Sequence, residues 1–300
     1  PTLISLLLIS MATLLGCQSP EQSRITQRDQ PLNVLKGPVQ VAQFELVEVE
    51  TGRLIADGFS LEALAQAPAP SVNGDIVQAT DVLFNGNTLL VSYNFKGEPY
   101  RGALQVIDVS TPTSPVLRYE VQMEDADLNR IRMYQDRYLL VAAGTESDAA
   151  TLKVFDLQGE PTEIASLDLE SKQATMVAVY QGYALVTTGD DGGVIGINLE
   201  DPSAPEILFS YPLADARYVE VLSSREVLVV SGGQDASLIR LSWSTLSQGT
   251  LSFTEQTDSI GDEEDEVVSL ALSGLTVGAP SWGFRSGERF HLSADEQGLF

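Results

Sequence analysis

From Thr88 to Trp243 the chain alternates two kinds of short apolar run, separated by Gly, Asp, Asn or Pro. Runs of this length with such punctuation predict strands, not helices. The first kind reads TLLVSY from Thr88, YLLVAAG from Tyr138, YALVTTG from Tyr183 and VLVVSGG from Val227. Leu90, Leu140, Leu185 and Val229 correspond, at intervals of 50, 45 and 44 residues. The second kind reads LQVIDV from Leu104, LKVFDL from Leu152, VIGINL from Val194 and LIRLSW from Leu238. Asp108, Asp156, Asn198 and Ser242 correspond, at intervals of 48, 42 and 44 residues.

Two independent landmarks thus share one period. After the second kind of run comes a turn: STPTSPVL after Asp108, the looser QGEPTEIA after Asp156, and EDPSAPEIL after Asn198. A third strand pattern follows each turn. RIRMYQ, MVAVYQ and YVEVLS supply a fourth, ahead of the next run of the first kind. Four strands per period of 40–50 residues is the signature of an all-β propeller of four-stranded blades. One repeat cannot bury both its faces, so stacking of neighbours must supply the core. Ser60–Ala67 is the single short helical candidate.

The C-terminal RFHLSADEQGLF aligns with YALVTTGDDGGVI, Asp295 on Asp190 and Gly298 on Gly193, an offset of 105 residues. That slightly exceeds two periods. Asp258–Glu266 and Gly274–Gly287 have no counterparts in the repeat and read as insertions. The chain then ends within a blade, so an incomplete ring of a longer protein is expected. Val39–Glu48 is a candidate strand for completing the last blade and closing the ring, which would remove two open sheet edges. The propeller is assigned to residues 34–300.

The first residues differ in kind. Leu3–Leu15 is uncharged and mostly apolar, too short to span a bilayer comfortably, and fits the core of a signal peptide over residues 1–16. The segment opens on Pro1 with no basic stretch and no Met, so its true start is expected upstream. It ends Leu14-Leu15-Gly16-Cys17, which resembles a bacterial lipobox. That resemblance implies cleavage after Gly16 and a diacylglyceryl group on the Cys17 thiol. Residues 17–33 then read as the anchor cysteine and a flexible polar tether. Acyl chains on Cys17 would insert into the bilayer, and Gln18 resembles the pattern that sorts to the outer membrane over the inner.

The repeat Leu-x-Val-Ile-Asp-Val-Ser-x-Pro-x-x-Pro resembles the LVIVD repeat of bacterial surface β-propellers. Leu104, Val106, Ile107, Asp108, Val109, Ser110, Pro112 and Pro115 carry the fullest copy. Leu152 to Leu157 carries a second without the full turn. Ile197, Asn198, Leu199, Asp201, Pro202, Ser203 and Pro205 carry a third, and Leu238 to Trp243 a degenerate fourth. The resemblance implies a cell-surface module of binding or scaffolding type. Its partners would be envelope or extracellular proteins.

The net charge of −25, from 42 acidic and 17 basic residues, repels phosphate backbones and argues against nucleic-acid binding. Solubility in a salty or extracellular medium explains it; an acidic calcium-binding surface is the other reading. A single Cys permits no intrachain disulfide.

Catalytic candidates each have a plainer explanation. Asp108, Asp156 and Asn198 recur once per repeat, as a turn requires. An Asp or Asn ending a strand accepts the backbone N–H two residues on. Pro112, Pro115, Pro202 and Pro205 belong to the same turns. His291 is the only histidine and sits in an apolar strand pattern. No Gly-x-Ser-x-Gly elbow accompanies it; Gly278-Ala-Pro-Ser281-Trp-Gly283 breaks that spacing. Gly189–Gly193 reads as a hairpin loop. DSIGDEEDE from Asp258 lacks the spacing of a calcium loop; a solvated insertion or weak divalent binding explains it. No phosphate-binding or dinucleotide motif is present, so no cofactor, metal or small-molecule ligand is assigned. The expectation is a non-catalytic, lipid-anchored binding module whose two insertions form its specific loops. The competing expectations are part of a propeller enzyme (quinoprotein dehydrogenase or hydrolase) and an envelope-assembly lipoprotein.

Overall fold

The apolar runs become strands because each can bury both faces between neighbouring sheets while its backbone is satisfied within its own. The computed structural model describes residues 24–31, 33–34, 65–147, 149–189, 191–223, 226–232, 237–245, 251–256, 282–286 and 289–293. Five strands precede the repeats: β1 (Arg24–Pro31), β2 (Asn33–Val34), β3 (Ala65–Gln66), β4 (Ser71–Val72) and β5 (Asp75–Ile76). The first repeat holds β6 (Gln78–Asn85), β7 (Thr88–Asn94), β8 (Gly102–Asp108) and β9 (Val116–Met123). The second holds β10 (Ala126–Tyr134), β11 (Tyr138–Thr145), β12 (Ala150–Asp156) and β13 (Thr162–Leu169). The third holds β14 (Met176–Tyr180), β15 (Tyr183–Thr187), β16 (Gly193–Asn198) and β17 (Glu206–Pro212). The fourth holds β18 (Ala216–Ser223), β19 (Glu226–Ser231), β20 (Ser237–Thr245) and β21 (Leu251–Gln256). β22 (Trp282–Ser286) and β23 (Arg289–Ser293) form a further hairpin.

Each repeat is an antiparallel sheet with its strands in sequence order. Among the described residues there is no helix. The chain is therefore all-β, built of four-stranded antiparallel sheets in a propeller-like arrangement. The two kinds of apolar run are the second and third strands of each sheet, and they pair with each other in a repeating register. Thr88 faces Asp108, Tyr138 faces Asp156, Tyr183 faces Asn198 and Glu226 faces Ser242. Leu90, Leu140, Leu185 and Val229 are fully buried. β11 and β12 are buried along almost their whole length, whereas the outer strands β13 and β17 are mostly exposed or half-buried.

Consecutive sheets meet face to face, and each seam holds its own apolar cluster. Leu90, Leu104 and Val121 pack on Leu128, Leu139 and Phe155 between the first two sheets. Leu140, Leu152 and Val154 pack on Val177, Ala184 and Val186 between the next two. Met176, Leu185 and Val194 pack on Tyr218, Val219 and Val229 at the third seam. The first strands β6, β10, β14 and β18 lie side by side in that order and form the inner wall, and β22 lies beside β18.

Three sequence expectations change. Arg24–Pro31, assigned to the tether, is strand β1 and extends the first sheet by pairing with β9. Ala65–Gln66, within the helical candidate, pairs with Asn33–Val34 as β3. Pro68 follows closely and disfavours helical backbone at Ala67. Trp282–Ser286, placed in the second insertion, is β22, paired in register with β23. The hairpin β22–β23 then stands next to the fourth sheet, so the 105-residue offset spans two repeats, with the unmatched residues between sheets. The signal peptide, Gly16, Cys17, Val39–Glu48, Asp258–Glu266 and Ser281 lie outside the described residues.

Candidate functional site

Asp108, Asp156 and Asn198, the residues that recur in the repeat, end β8, β12 and β16. Asp108 Oδ1 accepts the Ser110 N–H at 2.9 Å, Asp156 Oδ1 the Gln158 N–H at 2.9 Å, and Asn198 Oδ1 the Glu200 N–H at 3.1 Å. The residue after each also donates its backbone N–H to the preceding hairpin: Val109 to Asn87, Leu157 to Arg137 and Leu199 to Gly182. Pro112 and Pro202 occupy the second position of β-turns closed by Ser114 N–H on Thr111 and Ala204 N–H on Asp201, where their fixed φ is favourable. Pro115 and Pro205 stand directly before β9 and β17, and Pro161 does the same before β13.

Where the turn is present, the fourth strand carries a bulge at the same place. The register shifts after Val106, Val154 and Gly196, leaving Arg118, Ile164 and Leu208 as the extra residues. The pair β20–β21, whose repeat lacks the Asp and the prolines, runs without a shift. A bulge bends and twists a strand, so turn and bulge together shape the outer edge of the first three blades.

These carboxylates are held charged. Arg118 binds Asp108 at 2.8 Å, and with the Ser110 N–H it lowers the carboxyl to about 2. Arg137 grips Asp156 through Nε at 2.9 Å and through Nη2, and with the Gln158 N–H it lowers that carboxyl to about 2. Arg137 also lies over the Tyr138 ring at 5.0 Å. A general acid or base for neutral pH needs a value near 7, so neither carboxyl suits proton transfer there.

Gly189–Gly193 links β15 to β16, with the Gly192 N–H on the Gly189 carbonyl. His291 lies in β23, its backbone opposite Phe284. Among the described residues no cluster of three His, Cys, Asp or Glu could hold a metal.

The polar groups that converge are elsewhere, on the inner wall. Asp81 of β6 reaches β10: Arg132 Nη1 donates to its Oδ2 at 2.8 Å, the Ile131 N–H joins at 3.2 Å, and Arg130 stands 3.5 Å from Oδ1. Arg130 also donates to the Thr80 carbonyl at 3.0 Å. Burial lowers the Arg130 value, with Asp81 opposing the shift. On β18, the Tyr218 hydroxyl donates to Glu220 Oε2 at 2.8 Å; burial first and then Glu220 push the phenol up. Between β10, β14 and β18 lies an open cavity of about 380 Å³, bordered by Arg132, Met133, Met176, Tyr180, Glu220 and Leu222. The sequence shows RIRMYQ as a strand, but not that its arginines meet a carboxylate some 50 residues earlier.

A second buried network runs through the first sheet. The Tyr93 hydroxyl donates to Gln105 Oε1 at 2.7 Å, and Gln105 Nε2 donates to Glu120 Oε2 at 3.1 Å. Burial, then the Glu120 charge, raises Tyr93 to about 12. At the rim, buried Asp127 of β10 takes the N–H groups of Phe95 at 3.2 Å and Arg101 at 2.9 Å, the two ends of the β7–β8 loop. Desolvation outweighs those two bonds and raises its carboxyl to about 6.

No protein-family model and no curated protein matches the chain. Solved structures do. A putative 6-phosphogluconolactonase from Bacteroides fragilis aligns with a TM-score of 0.52 at 11% identity, over 72% of this chain and 63% of that one. A hypothetical selenium-binding protein from Sulfolobus tokodaii aligns with a TM-score of 0.48 at 11% identity, over 59% of this chain and 55% of that one. The chain thus spans less than two thirds of either protein's length. At this identity the first likeness concerns the fold alone, and it agrees with the propeller-like stacking of four-stranded sheets.

Proposed function

We propose that this chain is a non-catalytic binding or scaffolding module of the bacterial cell envelope, lipid-anchored through Cys17 and presenting a β-propeller to envelope or extracellular proteins. The observation that carries the reading is the repeated use of one position. Asp108, Asp156 and Asn198 each accept the N–H two residues on, in three successive blades. Asn performs the task as well as Asp, which suits a turn and not acid–base chemistry. The lipobox-like Leu14-Leu15-Gly16-Cys17 supports the anchor, and the stacked sheets support a rigid body whose rim loops meet the partner.

The complete ring belongs to this reading. Val82 faces Val91 in the register, as Ile131 faces Val141, Val177 faces Val186 and Val219 faces Val229. Ile131, Val177 and Val219 are fully buried, while Val82 is 57% and neighbouring Phe84 67% exposed. A last blade, with Val39–Glu48 as one of its strands, would cover this inner end of the first sheet and close the ring.

Fractionation of cells expressing the full protein tests the anchor. The native chain should partition with membranes and the Cys17→Ala variant should not. Retention of Cys17→Ala in the membrane fraction overturns the lipid anchor. Turnover of a substrate by the purified chain overturns the non-catalytic reading.

A further inference from the structure

The cavity on the inner wall combines three features that few surface hollows share. One side is apolar, formed by Met133, Met176, Ala178, Val179, Val221 and Leu222. Its lining also includes one cation, Arg132, and one carboxylate residue, Glu220. Its volume, about 380 Å³, lies at the small end of the range for ligand cavities, roughly 300–1,000 Å³.

Arg132 is only half used. Its Nη1 donates to Asp81 Oδ2 at 2.8 Å and to the Ile131 carbonyl at 2.6 Å. Its Nη2 meets the Met176 thioether at 3.8 Å, and a thioether is a weak acceptor. A carboxylate in the cavity would be a far better partner for that nitrogen, since charge-assisted bonds are about twice as strong as neutral ones. Arg130, Arg132 and the intervening Asp81 sum to one positive charge here, within a chain of net charge −25. Glu220, braced by the Tyr218 hydroxyl, supplies the opposite charge.

We propose that the cavity binds a small zwitterion with an apolar side chain, either an apolar α-amino acid or a short apolar peptide. The carboxylate lies against Arg132 Nη2, the ammonium against Glu220, and the side chain on the methionine-lined side. Methionines adapt to varied apolar shapes, so the site selects for charge pattern before side-chain identity. This inference rests on the binding-module reading and names a ligand class for it.

Calorimetric titration of the full chain with L-leucine, leucinamide, N-acetyl-leucine and Leu-Leu tests it. Leucine or Leu-Leu should bind, and whichever binds tighter identifies the free amino acid or the peptide as the source. Leucinamide lacks the carboxylate and N-acetyl-leucine the ammonium; each should bind at least about tenfold more weakly, one missing charge contact being worth ~1.4 kcal/mol or more. Glu220→Gln should weaken leucine by a similar factor and leave N-acetyl-leucine unchanged. Arg132→Lys, which keeps the charge on Asp81, should weaken leucine but not leucinamide. Absence of binding by both zwitterions, or equal binding of leucine and leucinamide, overturns the proposal. The two readings fail separately. A chain that partitions with membranes yet ignores zwitterions refutes only this inference, and one that binds leucine but stays soluble refutes only the anchor.

Discussion

Gly196 is the residue at which the repeat makes its sharpest quantitative prediction. It stands on β16 opposite Leu185, where the second repeat has Val154 opposite Leu140. Across the other edge it faces Phe209, where Val154 faces Ala165. A Cβ placed on Gly196 would overlap the Cε1 and Cζ edge of the Phe209 ring. The third blade has exchanged a Val–Ala pair for a Gly–Phe pair, moving the bulk from one strand to the next. Gly196→Val should therefore force the ring outward. Overpacking of this kind costs about 1–3 kcal/mol. The lower half of that range applies, because the first blade accommodates Val106 opposite Tyr119 with the tyrosine half-buried. Phe209→Ala alone should cost about 1–2 kcal/mol, since the ring is only partly buried. The double variant recreates the pair of the second blade and should be no worse than Phe209→Ala. Urea unfolding of the four proteins closes a double-mutant cycle, and a favourable coupling of about 1 kcal/mol or more is expected. Strict additivity, or a Gly196→Val protein as stable as the native one, would refute the blade-to-blade correspondence at this position.

The turn carboxylates and the rim carboxylate should respond to pH in opposite directions. Asp108 and Asp156, lowered to about 2, contribute stability that is complete above pH 4 and fades as pH falls toward 2. Asp127, raised to about 6, makes the fold more stable as pH falls from 7 to 4, because its buried charge is then neutralised. The full shift corresponds to about 3 kcal/mol at most. Asp127→Asn should abolish that slope in urea titrations between pH 4 and 7; an unchanged slope contradicts the assignment. Leu140→Ala, at a fully buried seam position, should lose about 2–5 kcal/mol, and a loss under 1 kcal/mol would mean that the seam is not packed as described. Phe84→Asp should be tolerated by the chain as it stands, since Phe84 is 67% exposed. In a protein with a closed ring it should destabilise by more than ~1 kcal/mol, and thermal melting of the two forms separates the cases.

Much of the architecture is legible because repetition amplifies weak signals. One apolar run of six residues is ambiguous, but Leu90, Leu140, Leu185 and Val229 at intervals of 44–50 residues identify a strand position in each of the four repeats. The turn chemistry is legible for the same reason. The second turn matches only loosely because it is two residues shorter than the others, so Pro161 falls out of alignment although it precedes β13 as Pro115 precedes β9. β1 escapes because RITQRDQP has no apolar period. β22 is hidden by glycine-rich surroundings that read as an insertion. The inner wall is the least legible part. Asp81, Arg130, Arg132 and Glu220 come from three different repeats, and only the stacking of sheets brings the first three into contact.

The most direct test of the central claim, that the repeat carboxylates fold the chain instead of reacting, is amide hydrogen exchange at Ser110 and Gln158. Two paired variants of the full chain are compared, Asp108→Asn with Asp156→Asn, and Asp108→Ala with Asp156→Ala. The asparagine pair should keep both amides protected, since Asn198 accepts the same bond from the Glu200 N–H in the third blade. The alanine pair should exchange about tenfold faster at both, the loss of one hydrogen bond of ~1.4 kcal/mol. Native-like protection in the alanine pair would contradict the account.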